Sequence, residues 1–385
     1  MNPSPPRSDT RRAIDEASDA ARAFLLGPVA DIWSRRGEMR NGLFPERFAL
    51  SGAEDIGQFR TFVQARHIFS FAAIGALGWT GPWQALIAEA LGTLVERAKR
   101  PDGFFIHALD ASGDPLDSRA DLYDQAFVLF ALGVGGSSLQ RSDLFDEAES
   151  LLSTVERNWR HSRGGFLEGE IADPHVRRQN PHMHLLEAFL ALSEGSGRSC
   201  FAEAALRIAE LAGDRFIDPA SGALLEYFTD DLQPAAGEEG RIAEPGHCFE
   251  WAWLFERLAR QSGDGKWLRL SDGLTGFGRL VGVDAERGVA INEVLTSGKV
   301  RDPRARLWPQ TERLKAAAVR FRRLNSDEEA AEVLAANTGL IRYFDVPTPG
   351  LWRDKLNADG TWVEEFAPGS SLYHISCAYT EMLAI

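Results

Sequence analysis

Two kinds of helical segment alternate along the chain. One kind carries a single apolar stripe and a polar face. Trp83 to Lys99, Leu144 to Asn158, Cys200 to Arg215, Lys266 to Gly282 and Asp327 to Phe344 are of this kind. The other is apolar over most of its circumference: Phe59 to Leu77, Asp121 to Leu132, His182 to Leu192, His247 to Arg260, Gln310 to Leu324 and Leu372 to Leu383. A helix with one wet face belongs on the outside of a layer, and one apolar all round belongs inside it. Gly-containing stretches such as RGGFLEGE and SGALLEYFTDDLQP lie between the two kinds and read as short hairpins. Upstream, Asp15 to Arg36 has apolar residues at Ala20, Phe24, Leu25, Val29, Ile32 and Trp33, at helical spacing. Gly27 and Pro28 inside it predict a kink or a split.

The pattern amounts to six helix–hairpin–helix units of roughly 60 residues. It predicts an all-α (α/α)6 barrel with short β-hairpins between helices. An open α-solenoid is the alternative. The barrel is favoured because polar residues recur near the starts of the apolar helices and converge only if the ring closes. His184, His247, Gln310 and His374 are separated by 63, 63 and 64 residues. A chain of 385 residues ordinarily suggests two or three domains. A continuous repeat overrides that prior, so residues 13–385 are expected to form one catalytic domain, with residues 1–12, polar and proline-rich, disordered.

Composition narrows the function. The hydrophobic and charged fractions, 44% and 25%, are those of an ordinary globular protein. The net charge of −14 carries no basic stripe, which excludes a nucleic-acid partner. The N-terminus lacks the apolar core of a signal peptide, and no stretch approaches the ~20 apolar residues of a membrane span. A cytoplasmic protein without a membrane partner, monomeric or homodimeric, is expected. Cys200, Cys248 and Cys377 are too scattered for a disulfide framework or a zinc site and read as small buried hydrophobes.

The candidate chemistry lies at the helix starts. His247 opens a helix after Pro245 and Gly246, and Glu250 follows three residues on, on the same face. Such a carboxylate can hold and tune the imidazole. His184 and Glu187 repeat the spacing, with His182 on a different face. His374 follows SSLY on a largely apolar helix. Arg66 lies on an apolar helix and needs a partner or a ligand. Tyr123 with Asp124 occupies the same place in the second unit, and Trp308, Gln310 and Glu312 do so in the fifth. No HExxH or phosphate-binding loop occurs. Two histidines on different sides of a pocket can take a proton from carbon and return one, while an arginine steadies the oxyanion. Loss of a proton next to a carbonyl needs no cofactor and no metal. A glycoside hydrolase, which needs paired carboxylates, and a non-catalytic binding protein are the competing classes.

The segments FVQARHIFSF, NPHMHLLEAFLAL, EPGHCFEWAWL, LWPQTE and SSLYHISCAY together resemble the N-acylglucosamine 2-epimerase superfamily, in order and over nearly the whole chain. That resemblance implies an (α/α)6 barrel that isomerises or epimerises a monosaccharide or small reducing sugar without a cofactor. It implies that His247 and His374 are the acid/base pair, and that Arg66, His184, Glu250 and Trp308 line the sugar site. Tyr123 and Gln310 join them by their place in the repeat. The ending SSLYHIS looks most like the mannose isomerase branch. Reversible conversion of D-mannose to D-fructose through a cis-enediol is the expected reaction. A 2-epimerase acting on N-acylglucosamine, cellobiose or mannose, or a sulfoquinovose isomerase, is the alternative.

Overall fold

The computed structural model describes residues 8–35, 41–55, 57–173 and 175–385. Its helices run in chain order as α1 (Ser8–Phe24), α2 (Ala30–Trp33), α3 (Thr61–Ala76), α4 (Trp83–Thr93), α5 (Leu122–Leu139), α6 (Ser142–Trp159) and α7 (Gln179–Ser196). They continue as α8 (Ser199–Leu211), α9 (Pro245–Ser262), α10 (Lys266–Gly282), α11 (Leu307–Leu324), α12 (Asp327–Ile341) and α13 (Ser370–Leu383). A π-helical turn, Leu25–Val29, joins α1 to α2 around Pro28, where the sequence predicted a kink. Residues 8–12, expected to be disordered, are helical, and Arg11 donates to the Ile385 carbonyl oxygen at 3.0 Å. Residues 1–7 lie outside the described residues.

The odd-numbered helices from α3 to α13 form an inner ring. Each packs on the next, and α13 packs back on α3, so the ring closes and the solenoid is excluded. The patterning explains the layers. In α5 every residue from Gln125 to Gly133 is buried. In α6 the buried side chains form one stripe containing Leu144, Ala148, Leu151, Leu152 and Val155. By length and composition α5 could cross a membrane, yet most of it is buried within the barrel. Inner helices α7 and α9 stop at Gly197 and Gly263, in the left-handed region at φ 69° and 71°, where a Cβ is disfavoured.

Two contacts seal the ring where the chain ends meet. The strand Arg47–Phe48 pairs antiparallel with Ala367–Pro368. Trp33 donates its indole N–H to the Gly350 carbonyl at 3.0 Å. The short hairpins all gather at the N-terminal ends of the inner helices, and a buried amide anchors several of them. Gln64 bonds both the N–H and the C=O of Phe44, Gln125 those of Phe105, and Gln310 those of Ala290. Each glutamine is the fourth residue of its helix and lies 20 residues beyond its target. In α7 the fourth residue is His182, whose Nε2 accepts from the Phe166 N–H at 3.0 Å.

Candidate active site

A cavity of about 260 Å³ opens at the end of the ring where the inner helices begin. Its walls follow a simple rule. The second helical positions supply Phe62, Tyr123, Asn180 and Trp308, and the sixth supply Arg66, His184 and Glu250. In α13 the frame slips by one residue, so Ser370 and His374 take these places. Positions i and i+4 share a helix face, so six parallel helices point two tiers of side chains at one volume. Gly246, at the second position of α9, makes room for Trp308: a Cβ there would fall 2.5 Å from the indole.

The rule corrects the register read from the sequence. Gln310 is a fourth-position residue, turned away from the cavity onto Ala290 and the Arg306 carbonyl. It braces a hairpin and does not line the cavity. His184, Gln310 and His374 fall at different helical positions despite their near-equal spacing. His247, a third-position residue, lines the cavity from beside the upper tier. The other expected residues, Arg66, Tyr123, His184, Glu250, Trp308 and His374, all line it.

His247 is held by a residue that the sequence did not reveal. Its Nδ1 lies 2.9 Å from Glu226 Oε2, with Glu244 at 3.9 Å. Glu226 is fixed in turn by the Gln179 amide at 2.8 Å and the Glu244 N–H at 3.2 Å. The expected partner, Glu250, makes no hydrogen bond to His247 and acts on it only through its charge. Burial works against a charged His247, yet Glu226, Glu244 and Glu250 outweigh it and push its pKa up to about 9. At neutral pH His247 is therefore an imidazolium.

His374 is driven the opposite way. Burial and the positive charges of Arg66, Lys315, His184 and His247 hold it well below the usual histidine range. Its Nδ1 lies 2.7 Å from Glu312 Oε1, which leaves Nε2 as the unengaged ring nitrogen. Trp308 lies between the two histidines, with ring centroids 4.8 Å from His247 and 5.8 Å from His374. His184 keeps the expected i, i+3 bond to Glu187 at 3.3 Å, and burial lowers its pKa.

Arg66 has no carboxylate within ion-pair distance among the described residues. It donates to the Tyr123 hydroxyl at 2.7 Å and the Ser370 carbonyl at 3.1 Å, and packs on the Phe127 ring at 4.4 Å. Its Nε and Glu250 Oε1 have no hydrogen-bond partner there. Arg306 at the edge is paired with Glu244 at 2.9 Å. Cys248 is buried, and burial pushes its thiol up to about 12, so it offers no nucleophile at neutral pH. A larger cavity of about 670 Å³ lies at the opposite end of the ring, but its Arg257 and Glu381 are engaged by Glu194 and Arg322, and it holds no histidine.

Comparison with known proteins agrees with this architecture. The chain is 40% identical to a mannose-6-phosphate isomerase of Rhizobium meliloti (strain 1021), over 93% of this chain and 95% of that protein. It is 30% identical to a D-mannose isomerase of Thermobifida fusca, over 72% and 74% of the two chains. The crystal structure of a D-mannose isomerase superposes with a TM-score of 0.84 at 19% identity, over 99% of this chain and all of the other, which shows a shared fold. Residues 44–378 match the model of the N-acylglucosamine 2-epimerase family, and the chain belongs to that family. It is an enzyme, a sugar isomerase or epimerase.

Proposed function

We propose that the protein interconverts an aldose and a ketose, D-mannose and D-fructose, by proton transfer between His374 and His247 through a cis-enediol. The observation that carries this reading is the opposed tuning of the two histidines across one small cavity. Titratable groups pushed apart by their surroundings are the mark of an acid and a base. His374, neutral with its Nδ1 proton on Glu312, takes the proton from C2 on Nε2. His247, cationic, gives its proton to the C1 carbonyl oxygen as the enediol forms. The O2 proton then returns to His247 while His374 delivers its proton to C1, and both side chains regain their starting states. Arg66 supports the oxygen on which negative charge develops, where a preorganised cation is most effective. In the 2-epimerase alternative His247 would return the proton to the opposite face of C2.

Cavity size and charge support a free monosaccharide. A volume of about 260 Å³ lies below the roughly 300–1,000 Å³ of sites for drug-sized ligands, so a disaccharide fits poorly. Glu244 and Glu250 line the wall, and Arg306 is already paired. A phosphate dianion would therefore meet two carboxylates at that edge, and a guanidinium already held by one of them. The second reading, a hexose 6-phosphate substrate, is favoured by the likeness to the Rhizobium mannose-6-phosphate isomerase and by the unpartnered Nε of Arg306.

No metal enters this scheme. Three groups of side chains among the described residues are close enough to share an ion: His184–Glu187–Glu250, Glu226–Glu244–His247 and Glu250–Glu312–His374. A cation of the protein lies against each group, Lys315 at 2.6 Å from Glu312 and 3.8 Å from Glu250 and Arg306 at 2.9 Å from Glu244. The test is NMR of mannose, mannose 6-phosphate, glucose and cellobiose incubated with the protein. Turnover of mannose well above the other three is expected. Turnover of mannose 6-phosphate alone would replace this reading with the second.

A further inference from the structure

Below the catalytic cavity the barrel holds a lysine that has no contact with solvent. Lys315, on the third turn of α11, is fully buried. Its Nζ lies 2.6 Å from Glu312 Oε2, 3.8 Å from Glu250 Oε1 and 3.9 Å from the centre of the Trp253 ring. Glu187 of α7 also acts on it electrostatically, as do His374 and Cys377 of α13, and the Tyr373 ring centre lies 5.9 Å from Nζ. Three buried carboxylates thus share one buried ammonium. Charge burial on this scale is costly unless paired.

The arrangement bears on His374 through Glu312. One oxygen of Glu312 faces Lys315 and the other faces His374 Nδ1. Burial, and then the nearby charge of Glu250, hold the Glu312 carboxyl well above its ordinary value, and Lys315 opposes that rise without cancelling it. An ionised Glu312 can only accept, so His374 must carry its proton on Nδ1. A protonated Glu312 can donate to Nδ1 instead, which moves the ring proton to Nε2 and removes the base from the cavity.

We propose that Lys315 is a positioning residue that keeps Glu312 a pure acceptor and thereby fixes the tautomer in which His374 Nε2 can take a proton from carbon. The inference rests on the reading of His374 as the base. Lys315 touches no substrate. It also replaces, with a covalently attached cation, the ion that Glu250, Glu312 and His374 could otherwise recruit.

The experiment uses the full chain with Lys315→Met, which keeps the packing against Trp253, and Lys315→Arg, which keeps a cation. Turnover of mannose is followed against pH, and binding of D-mannitol, a sugar that cannot react, is measured by calorimetry. Lys315→Met is expected to lower kcat at pH 7 by on the order of 10²-fold or more, as the wrong tautomer does in a hydrogen-bonded histidine base. Mannitol affinity stays within about threefold, and the acid limb of kcat/KM moves up by about one pH unit or more, because Glu312 now ionises later. Lys315→Arg restores most of kcat and returns the limb. Glu312→Gln lowers kcat alike, and the double variant is no worse than either single one. In wild-type protein labelled with ¹⁵N-histidine, His374 shows the Nδ1–H pattern. A folded Lys315→Met variant with the wild-type limb overturns the proposal. Should Lys315→Met fail to fold, a Glu312→Gln variant with wild-type kcat, or an Nε2–H pattern for His374 in the wild type, does so. If wild-type protein turns over none of the sugars, the reading of the site fails instead, and the ¹⁵N pattern still reports on Lys315 and Glu312.

Discussion

The imidazole of His247 lies against two carboxylates, and the pH dependence of the enzyme should report it. The group acts as an acid, so activity is expected to fall as pH rises through about 9, where its proton leaves. Replacing Glu226 by Gln removes its nearest counter-charge and should move that limb to lower pH. An unmoved limb in a kcat/KM profile would contradict the assignment. His247→Ala and His374→Ala should each nearly abolish turnover without changing the far-ultraviolet dichroism; near-normal turnover in either would remove that residue from the mechanism. Arg66→Met should lower kcat by on the order of 10²–10³-fold, the usual loss of a donor to a developing oxyanion. What sequence could show at this scale follows from distance along the chain. The His184–Glu187 pair is local, three residues apart on one helix, and was legible. The Glu226–His247 and Glu312–His374 pairs span 21 and 62 residues and depend on how a hairpin or a neighbouring helix docks. No local pattern encodes such a meeting.

At the scale of the helix, one position decides between chemistry and scaffolding. Second or sixth residues of five inner helices, such as Tyr123, His184 and Trp308, line the cavity, whereas the fourth residues Gln64, Gln125 and Gln310 turn onto a hairpin. Near-equal steps of 63 and 64 residues brought Gln310 into line with residues that line the cavity because a repeat length alone does not report helical phase. The signal that separates them was present: Gln64, Gln125 and Gln310 each follow a hairpin residue by 20, and all three make the same paired bond to its backbone. Gln310→Ala should therefore cost about 1–3 kcal/mol of stability, as the buried Ala290 amide loses its partner. KM should remain within about twofold. A denaturant melt with an unchanged midpoint, or a large rise in KM with stability intact, would return Gln310 to the binding site.

For the whole molecule, the alternation of apolar and amphipathic helices predicted two layers, because an inner helix is apolar over most of its circumference and an outer one along a single stripe, and the polar residues at the inner helix starts favoured closure into a barrel. The bracing contacts at the seam, between Arg47–Phe48 and Ala367–Pro368 and between Trp33 and Gly350, join distant parts of the chain and had no such signature. The electrostatics belong to this scale too. Three cations, Lys315, Arg66 and the imidazolium of His247, face four carboxyl groups, Glu187, Glu226, Glu250 and Glu312, all buried. Chelation with EDTA should leave the rate of mannose turnover unchanged, and a large loss restored by a divalent ion would show that a metal completes the balance.

The path of a single proton tests the central claim most directly. Unlabelled D-mannose incubated with the enzyme in D₂O should yield D-fructose carrying deuterium at C1, read by NMR, through exchange of the His374 Nε2 proton with solvent before it is delivered, with no fructose formed when His374 is replaced. Deuterium confined to C2 with accumulation of glucose, or no exchange from any aldose, would contradict it.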